Sequence, residues 1–514
     1  METNKHRVNA VVLAACIGGL LLVGGRALGR EGHTIRGSYS IISTKPVKVG
    51  NRRQLLMDDY VVEDIRNCRR TVHQPTKHAA NPLFSTGPAG PEEDEAFGTV
   101  SVLHDREHGL YRLWAVHSAT VQQSTPPGFY WDSRGAYHRS KDGNHWETPE
   151  LLNRGEGPIL NNVVLGPPDR SQHSISVIET PDKWRHRGRF LMVYFIGPVG
   201  RGPHPGLIAG GQELRIAFSD DGIHWRDQKE NPIFAGQSDT ENNICYNPDR
   251  KVFMLYRRPP IHAGEIRRIA YSQSADLIHW TQPRHIIVAD ELDPYSLYGM
   301  TVVRYQGVYF GFLQLFYSRN SNREKHMMVD VQLAWSRDGI HWQRHPERPT
   351  FLATGPKHSY DAGMVFLGKG LIKRGDHIDL YYAGHENLHI SMVPGESSLC
   401  LASLRKDGFT SLDAPQEGSV LTKPIECPGG KLHINAKTAR GGSIRVAIRR
   451  GDGEFDGLRP PEWDYEQARA IAGDSTDHFV TWKGQENLNA LKGKAIRLEF
   501  KLEQAELFSF WFQD

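Results

Sequence analysis

Carboxylates stand ahead of nearly every apolar, alternating run in this chain. Glu93, Asp94 and Glu95 precede residues 98–103, Asp239 and Glu241 precede 243–246, Asp290, Glu291 and Asp293 precede 300–303, and Asp361 precedes 364–366. Ahead of 175–178 the polar group is Arg170, Gln172 and His173. Paired carboxyl groups suit the cleavage of an acetal. One, kept protonated, donates to the leaving oxygen; the other, ionised, acts as base or nucleophile on the opposite face. Asp94, Glu95, Asp239 and Glu241 are the candidates for that pair. Arg258, which closes the run 251–258, could hold a carboxylate or a pair of hydroxyls with its planar fork. His173, Asp293 and Asp361 are further candidates for substrate contact. Acidic residues at strand entries also serve as plain turn formers.

Such residues are far apart in sequence, so something must gather them. Four segments supply the device: 140–146 (SKDGNHW), 219–225 (SDDGIHW), 274–280 (SADLIHW) and 336–342 (SRDGIHW). Each follows a β-rich stretch. Asp-Gly gives a tight hairpin because Gly tolerates positive φ and the Ser and Asp side chains bond the turn backbone. The Trp then starts the next strand and can fill the wedge between neighbouring units. Repeats 55 to 80 residues apart suit one antiparallel blade each, with 406–409 (KDGF) a worn fifth copy. The reading is all-β: a five-bladed β-propeller over residues 55–422, whose inner strands bring the polar residues at their starts to one end of a central channel. Residues 55–62 read as a first strand and a candidate for sealing the ring. From 423 to 514, strands at 432–436, 443–448, 479–482, 496–502 and 507–512 alternate apolar with polar and read as a β-sandwich.

The formal net charge of +3 over 514 residues, with scattered Lys and Arg, argues against a nucleic-acid or anionic-membrane partner. Lys5, His6 and Arg7, the apolar run 10–25 and the small residues around Ala27 and Gly29 have a signal-peptide layout over 1–29, with 30–54 a linker. The apolar run is short for a transmembrane span. Residues 13–16 (LAAC) also fit a lipobox that would lipidate Cys16, though much of the apolar run would then remain on the mature chain. Secretion or a periplasmic location is expected. The four remaining cysteines are too widely spaced for a disulfide framework, and no C-x-x-C suggests a metal. His385 and His389, four apart after a strand, do not make a helical zinc motif. No cofactor is expected, beyond a structural calcium in the channel.

Through the Ser-x-Asp-x-x-His-Trp hairpins, residues 90–410 resemble the five-bladed propeller glycoside hydrolases, the invertase-like family 32 and the arabinanase- or xylosidase-like family 43. The resemblance implies hydrolysis of an oligo- or polysaccharide. It places the base or nucleophile near Asp94 or Glu95 and the acid near Glu241. Asn-Asp-Pro-Asn-Gly and Arg-Asp-Pro are missing, so fructan specificity is not implied. Glu426-Cys427-Pro428 echoes the family 32 acid motif, but beyond the last blade. Three other readings fit the same chain: a non-catalytic carbohydrate-binding propeller, a sialidase, and a glycoside phosphorylase in which Arg257 and Arg258 hold phosphate.

Overall fold

The computed structural model of the chain describes residues 45–514 apart from 87, 90–92, 125–126, 150, 152–162, 166–169, 199–210, 237, 239, 260–265, 295, 319–324, 390–396 and 453–457. Five antiparallel sheets follow one another along the chain. The first comprises Glu93–Asp105, Leu110–Ser124, Pro127–Ser140 and Trp146–Glu147; the second Arg170–Glu179, Phe190–Pro198, Glu213–Ser219 and Trp225–Asp227. The third is built from Asn243–Asn247, Val252–Arg257, Ile269–Ser274 and Arg284–Ile287, the fourth from Ser296–Tyr305, Val308–Phe316, Val329–Ser336 and Gln343–Arg344. The fifth takes Met364–Arg374, His377–His385 and Ser397–Arg405 from one region, and its outer edge, Thr76–Lys77 and Phe84–Thr86, from the start of the chain.

The first strands of the five sheets form a closed cycle, which makes the architecture a propeller. Thr99 Oγ1 and Ser101 Oγ accept the backbone N–H groups of Ile175 and Val177, 2.9 and 3.2 Å away. Ser176 Oγ accepts from Ile244 N at 3.1 Å, and Asn243 Oδ1 from Val302 N at 3.1 Å. Thr301 Oγ1 stands 2.8 Å from Leu367 O, and Lys369 pairs in parallel with Ser101, which returns the cycle to its start. Hydroxyls and an amide on the inner strands thus satisfy backbone groups that a splayed sheet leaves unpaired.

The repeated hairpins turn out to be latches between neighbouring sheets. In each, the Asp carboxylate accepts two backbone N–H groups and the imidazole of the following His, as with Asp338, Ile340, His341 and the His341 ring at 2.8, 2.9 and 2.7 Å. The residue after the Asp is left-handed, with φ of 79° at Gly143, 80° at Gly222, 67° at Leu277 and 78° at Gly339. Its carbonyl then accepts a donor from the preceding sheet: Tyr381 Oη to Gly143, Trp114 Nε1 to Gly222, Gln228 Nε2 to Leu277 and Tyr256 Oη to Gly339, all within 2.9 Å. Leu277 takes the strained conformation without glycine's freedom, and complete burial of its side chain between the second and third sheets offsets that strain. The expected wedge role of the repeat Trp holds for Trp225, which is buried with its indole N–H on Gly222 O, 3.1 Å away.

The remaining strands join one curled sheet. Thr410–Thr422, Lys431–Arg450 and Ala495–Gln513 lie side by side, with Asp474–Val480 on the flank of the second. Bulges at Ala414/Glu417 and Thr438/Ser443 bend these long strands, so that apolar residues from both halves, among them Leu432, Ile444, Phe500 and Phe510, share one core. The C-terminal strands are therefore joined by continuous hydrogen bonding. The start of the chain enters this sheet as well: Gln54–Leu55 pairs with Ser509 and Phe510, Val62–Arg66 with residues 419–422, and Arg69–Val72 with 410–413. Residues 55–62 thus do not seal the ring. Thr76–Lys77 and Phe84–Thr86 do so, on the fifth sheet.

Candidate active site

Glu241 lies in the segment that enters the third sheet, two residues before its inner strand. The chain arrives there through Ser238–Asn242, where Asn242 Nδ2 bonds Ser238 O, Thr240 O and, across to the second sheet, Ser174 Oγ at 2.8, 2.9 and 3.0 Å. That knot fixes the backbone and turns the Glu241 side chain toward the fourth sheet, where it is 7 % exposed. Both of its hydrogen bonds to described residues fall on Oε2: the Thr301 hydroxyl makes a short contact and Gln314 Nε2 donates at 2.8 Å. No described residue bonds Oε1. Burial pushes the Glu241 carboxyl up to about 7, outweighing the two hydrogen bonds and the attraction of the Lys369 ammonium, which pull it down. At neutral pH Glu241 is poised between acid and carboxylate.

Lys369, on the inner strand of the fifth sheet, is itself buried. Its ammonium donates to Val302 O at 2.9 Å and Asn243 Oδ1 at 3.2 Å, and burial lowers its pKa. It ties three inner strands together below Glu241.

Beside Glu241, Tyr298 begins the inner strand of the fourth sheet and organises a second layer. Its carbonyl accepts from Thr240 Oγ1 at 2.6 Å and Arg258 Nη2 at 2.9 Å. The guanidinium groups of Arg258 and Arg267 stand 5.1 and 5.0 Å from its ring centroid, and Arg267 is also 4.9 Å from that of Phe316. His389 Nε2 meets the Tyr298 hydroxyl at 3.2 Å, and Phe366 lies 5.4 Å from the Tyr298 ring. His385, edge-on to Phe366, keeps a neutral ring, held down to about 4 by burial, and its buried Nε2 has no partner among the described residues. The site is thus one buried acid beside a wall of aromatic rings, histidines and arginines.

The other candidates are placed as follows. Asp94 and Glu95 lie on the inner strand of the first sheet, Asp94 opposite Pro88 and Glu95 opposite Ala119. Asp239 lies outside the described residues. His173 is half-buried at a bulge in the inner strand of the second sheet, its ring 5.9 Å from Phe195. The amide of neighbouring Gln172 is buried with neither atom hydrogen-bonded among the described residues. Arg258 donates through one arm to Tyr298 O and is 2 % exposed. Asp293 is gripped by both arms of Arg344, at the outer strand of the fourth sheet. Asp361 is buried under Lys77, Tyr382 and Ser359 at 2.6, 3.0 and 3.1 Å, where it ties the ring-closing segment to the fifth sheet. Tyr298, Arg267, Thr301 and Gln314 escaped the sequence reading, because nothing in local pattern separates an aromatic or amide that lines a site from one that fills a core.

Among the described residues, two groups of His and carboxylate come close enough to share a cation: His73, Asp413 and Glu506 on the curled C-terminal sheet, and Asp105, Glu107 and His108 on the first hairpin. In the second, Asp105 is already bonded by Arg112 and Arg189 at 2.7 and 2.6 Å. Neither lies among the residues around Glu241. No helix of the described residues is long and apolar enough to cross a membrane.

Fold and site together define an all-β propeller with a buried acid at the entry end of its inner strands and a second β module packed on the fifth sheet. No protein-family model matches the chain, and no curated protein matches its sequence. Among solved structures the chain is similar to a β-1,2-mannobiose phosphorylase from Listeria innocua, with 14% identity over 65% of this chain and 97% of that one, TM-score 0.46. It is similar to a thermostable family 43 glycoside hydrolase, with 16% identity over 63% and 95%, TM-score 0.41. A third similar structure, a family 32 β-fructofuranosidase of Bombyx mori, aligns over 86% of this chain and 93% of its own at 11% identity, TM-score 0.41.

Proposed function

We propose that the protein is an exported glycoside hydrolase that cleaves an oligo- or polysaccharide, with Glu241 the proton donor to the leaving oxygen. The observation that carries this reading is the state of Glu241: a buried carboxyl raised to about 7 whose hydrogen bonds gather on Oε2, which leaves Oε1 to carry a transferable proton. The half-buried rings of Tyr298 and Phe366 offer apolar surface on which a sugar ring stacks. Asp94 or Glu95, on the inner strand of the first sheet, supplies the ionised partner. Cleavage then proceeds by proton transfer from Glu241 as the glycosidic bond lengthens, while the second carboxylate activates water or attacks the anomeric carbon. The signal-like segment at 1–29 directs the protein to the periplasm or outside the cell.

The test is hydrolysis of a panel of aryl glycosides and plant or algal polysaccharides by the mature protein, alongside Glu241→Gln, Asp94→Asn and Glu95→Gln. Sugar release that collapses in Glu241→Gln and in one of the other two supports the assignment. Glycan binding without turnover would make the propeller a binding module.

A further inference from the structure

Arg267 is a half-buried charge that the site described so far does not use. Its guanidinium packs against the rings of Tyr298 and Phe316, one of its terminal nitrogens, Nη1, is buried, and among the described residues it has no hydrogen-bond partner and no carboxylate pairs with it. An arginine cannot shed its proton, so a half-buried, unpaired guanidinium is unfavourable unless something else brings the negative charge. The carboxylates on the adjoining strands do not: Asp330 is held by Lys325 at 2.7 Å and by the Tyr317 hydroxyl, and Glu241 is protonated up to about pH 7. The guanidinium of Arg258 stands 5.1 Å from the same Tyr298 ring centroid. The backbone carbonyl of Tyr298 accepts from Thr240, one residue before the acid, so the strand that carries this ring runs beside the Glu241 segment.

Building on the hydrolase reading, we infer that the substrate is an acidic sugar: the pocket walled by Arg267, Arg258, Tyr298, Phe316 and His389 takes the carboxylate of a uronic acid residue next to the bond that Glu241 protonates. A planar carboxylate matches the fork of Arg267, and the sugar ring it hangs from stacks on the same aromatic wall. A neutral hexose would leave Arg267 as unpaired as it stands now, so the site discriminates by the charge that it lacks.

The experiment is calorimetric titration of the full mature chain with D-glucuronate, D-galacturonate, their neutral counterparts glucose and galactose, and inorganic phosphate. Wild type, Arg267→Gln, Arg267→Lys and Glu241→Gln are compared, with melting curves to establish folding. At least one uronate should bind ten-fold or more tighter than its neutral counterpart. Arg267→Gln should lose that margin, Arg267→Lys keep part of it, and added salt weaken the uronate alone. Glu241→Gln should bind the uronate as wild type does even where turnover is lost, so that failure of the acid assignment leaves this result standing. Equal binding of acidic and neutral sugars, no binding of any uronate, or a margin untouched in Arg267→Gln would each overturn the inference. Phosphate binding that depends on Arg267 and exceeds that of either uronate would overturn it too, by making the anion a free co-substrate.

Discussion

Thr301 settles which oxygen of Glu241 is occupied. Its hydroxyl, on the inner strand of the fourth sheet, bonds Oε2 of Glu241 while also reaching Leu367 O at 2.8 Å, so a single side chain joins the acid to two neighbouring sheets. The Thr301 hydrogen bond draws the Glu241 pKa down. Thr301→Val removes it with little change of shape and should raise that pKa above about 7. The alkaline limb of the rate profile should then move to higher pH. A pH–rate series on both proteins checks the direction; an unmoved limb would show that Glu241 does not govern it.

Glu241→Gln preserves size and the contacts to Thr301 and Gln314 but cannot donate a proton as an acid does. Turnover should fall by about 10² to 10⁴. Stability should move the other way with pH. Because the folded pKa of Glu241 is raised, to about 7, the wild type is most favoured below the ordinary value of 4.5, and its buried carboxyl costs stability as pH rises from there through 7. The loss is of the order of 3 kcal/mol. Melting curves between pH 4 and 8 should show the wild type declining relative to Glu241→Gln across that window.

The repeat hairpins were legible because their information is local: Ser, Asp and His bond a turn only a few residues long. The donors that lock those turns in place were not, since Tyr381 and Trp114 lie 238 and 108 residues from the glycines whose carbonyls they reach. Residues 54–55 show the same limit. Alternation reveals a strand but not its edge, and the edge that Gln54–Leu55 finds is the last strand of the chain. At the site, burial separates the candidates. Glu241 and Asp293 look alike as acids ahead of strands, yet Arg344 neutralises one while the other has only neutral hydrogen-bond partners on its carboxylate. Arg267 had no signal of its own, because its meaning depends on which rings it meets.

The four hairpin aspartates set the acid stability of the propeller. Desolvation raises their pKa values, but the backbone N–H and imidazole of the following His overcome it. They draw Asp338 down to about 2 and hold Asp142, Asp221 and Asp276 well below the usual carboxylate range. Groups depressed in the folded state stabilise above their ordinary value of 3.8, and that stabilisation is lost as pH falls through the folded values. Melting temperature should therefore drop steeply below pH 4. Asp338→Asn should destabilise by about 1 to 2 kcal/mol at pH 7, show a shallower acid decline, and leave turnover unchanged.

The C-terminal sheet should not behave as a detachable module. Asp407, in the worn fifth repeat, is buried and accepts from Arg53 Nη1 at 2.8 Å, Ser509 Oγ at 2.7 Å and the Tyr305 hydroxyl at 2.6 Å. Those donors come from the start of the chain, its last strand and the fourth sheet of the ring. Arg53 is clamped further by stacking 3.4 Å from the Trp511 centroid. Arg53→Ala leaves a buried carboxylate without its counter-charge, which costs about 3 to 5 kcal/mol. Ending the chain at residue 422 goes further, because the strands Gln54–Leu55 and Thr410–Thr422 both lose the partner Ala495–Gln513. Thermal unfolding of the full chain should be a single cooperative transition that shifts as a whole in Arg53→Ala. The truncated chain should fail to give a folded propeller; a truncated form that melts at the wild-type temperature would show that the two parts fold independently.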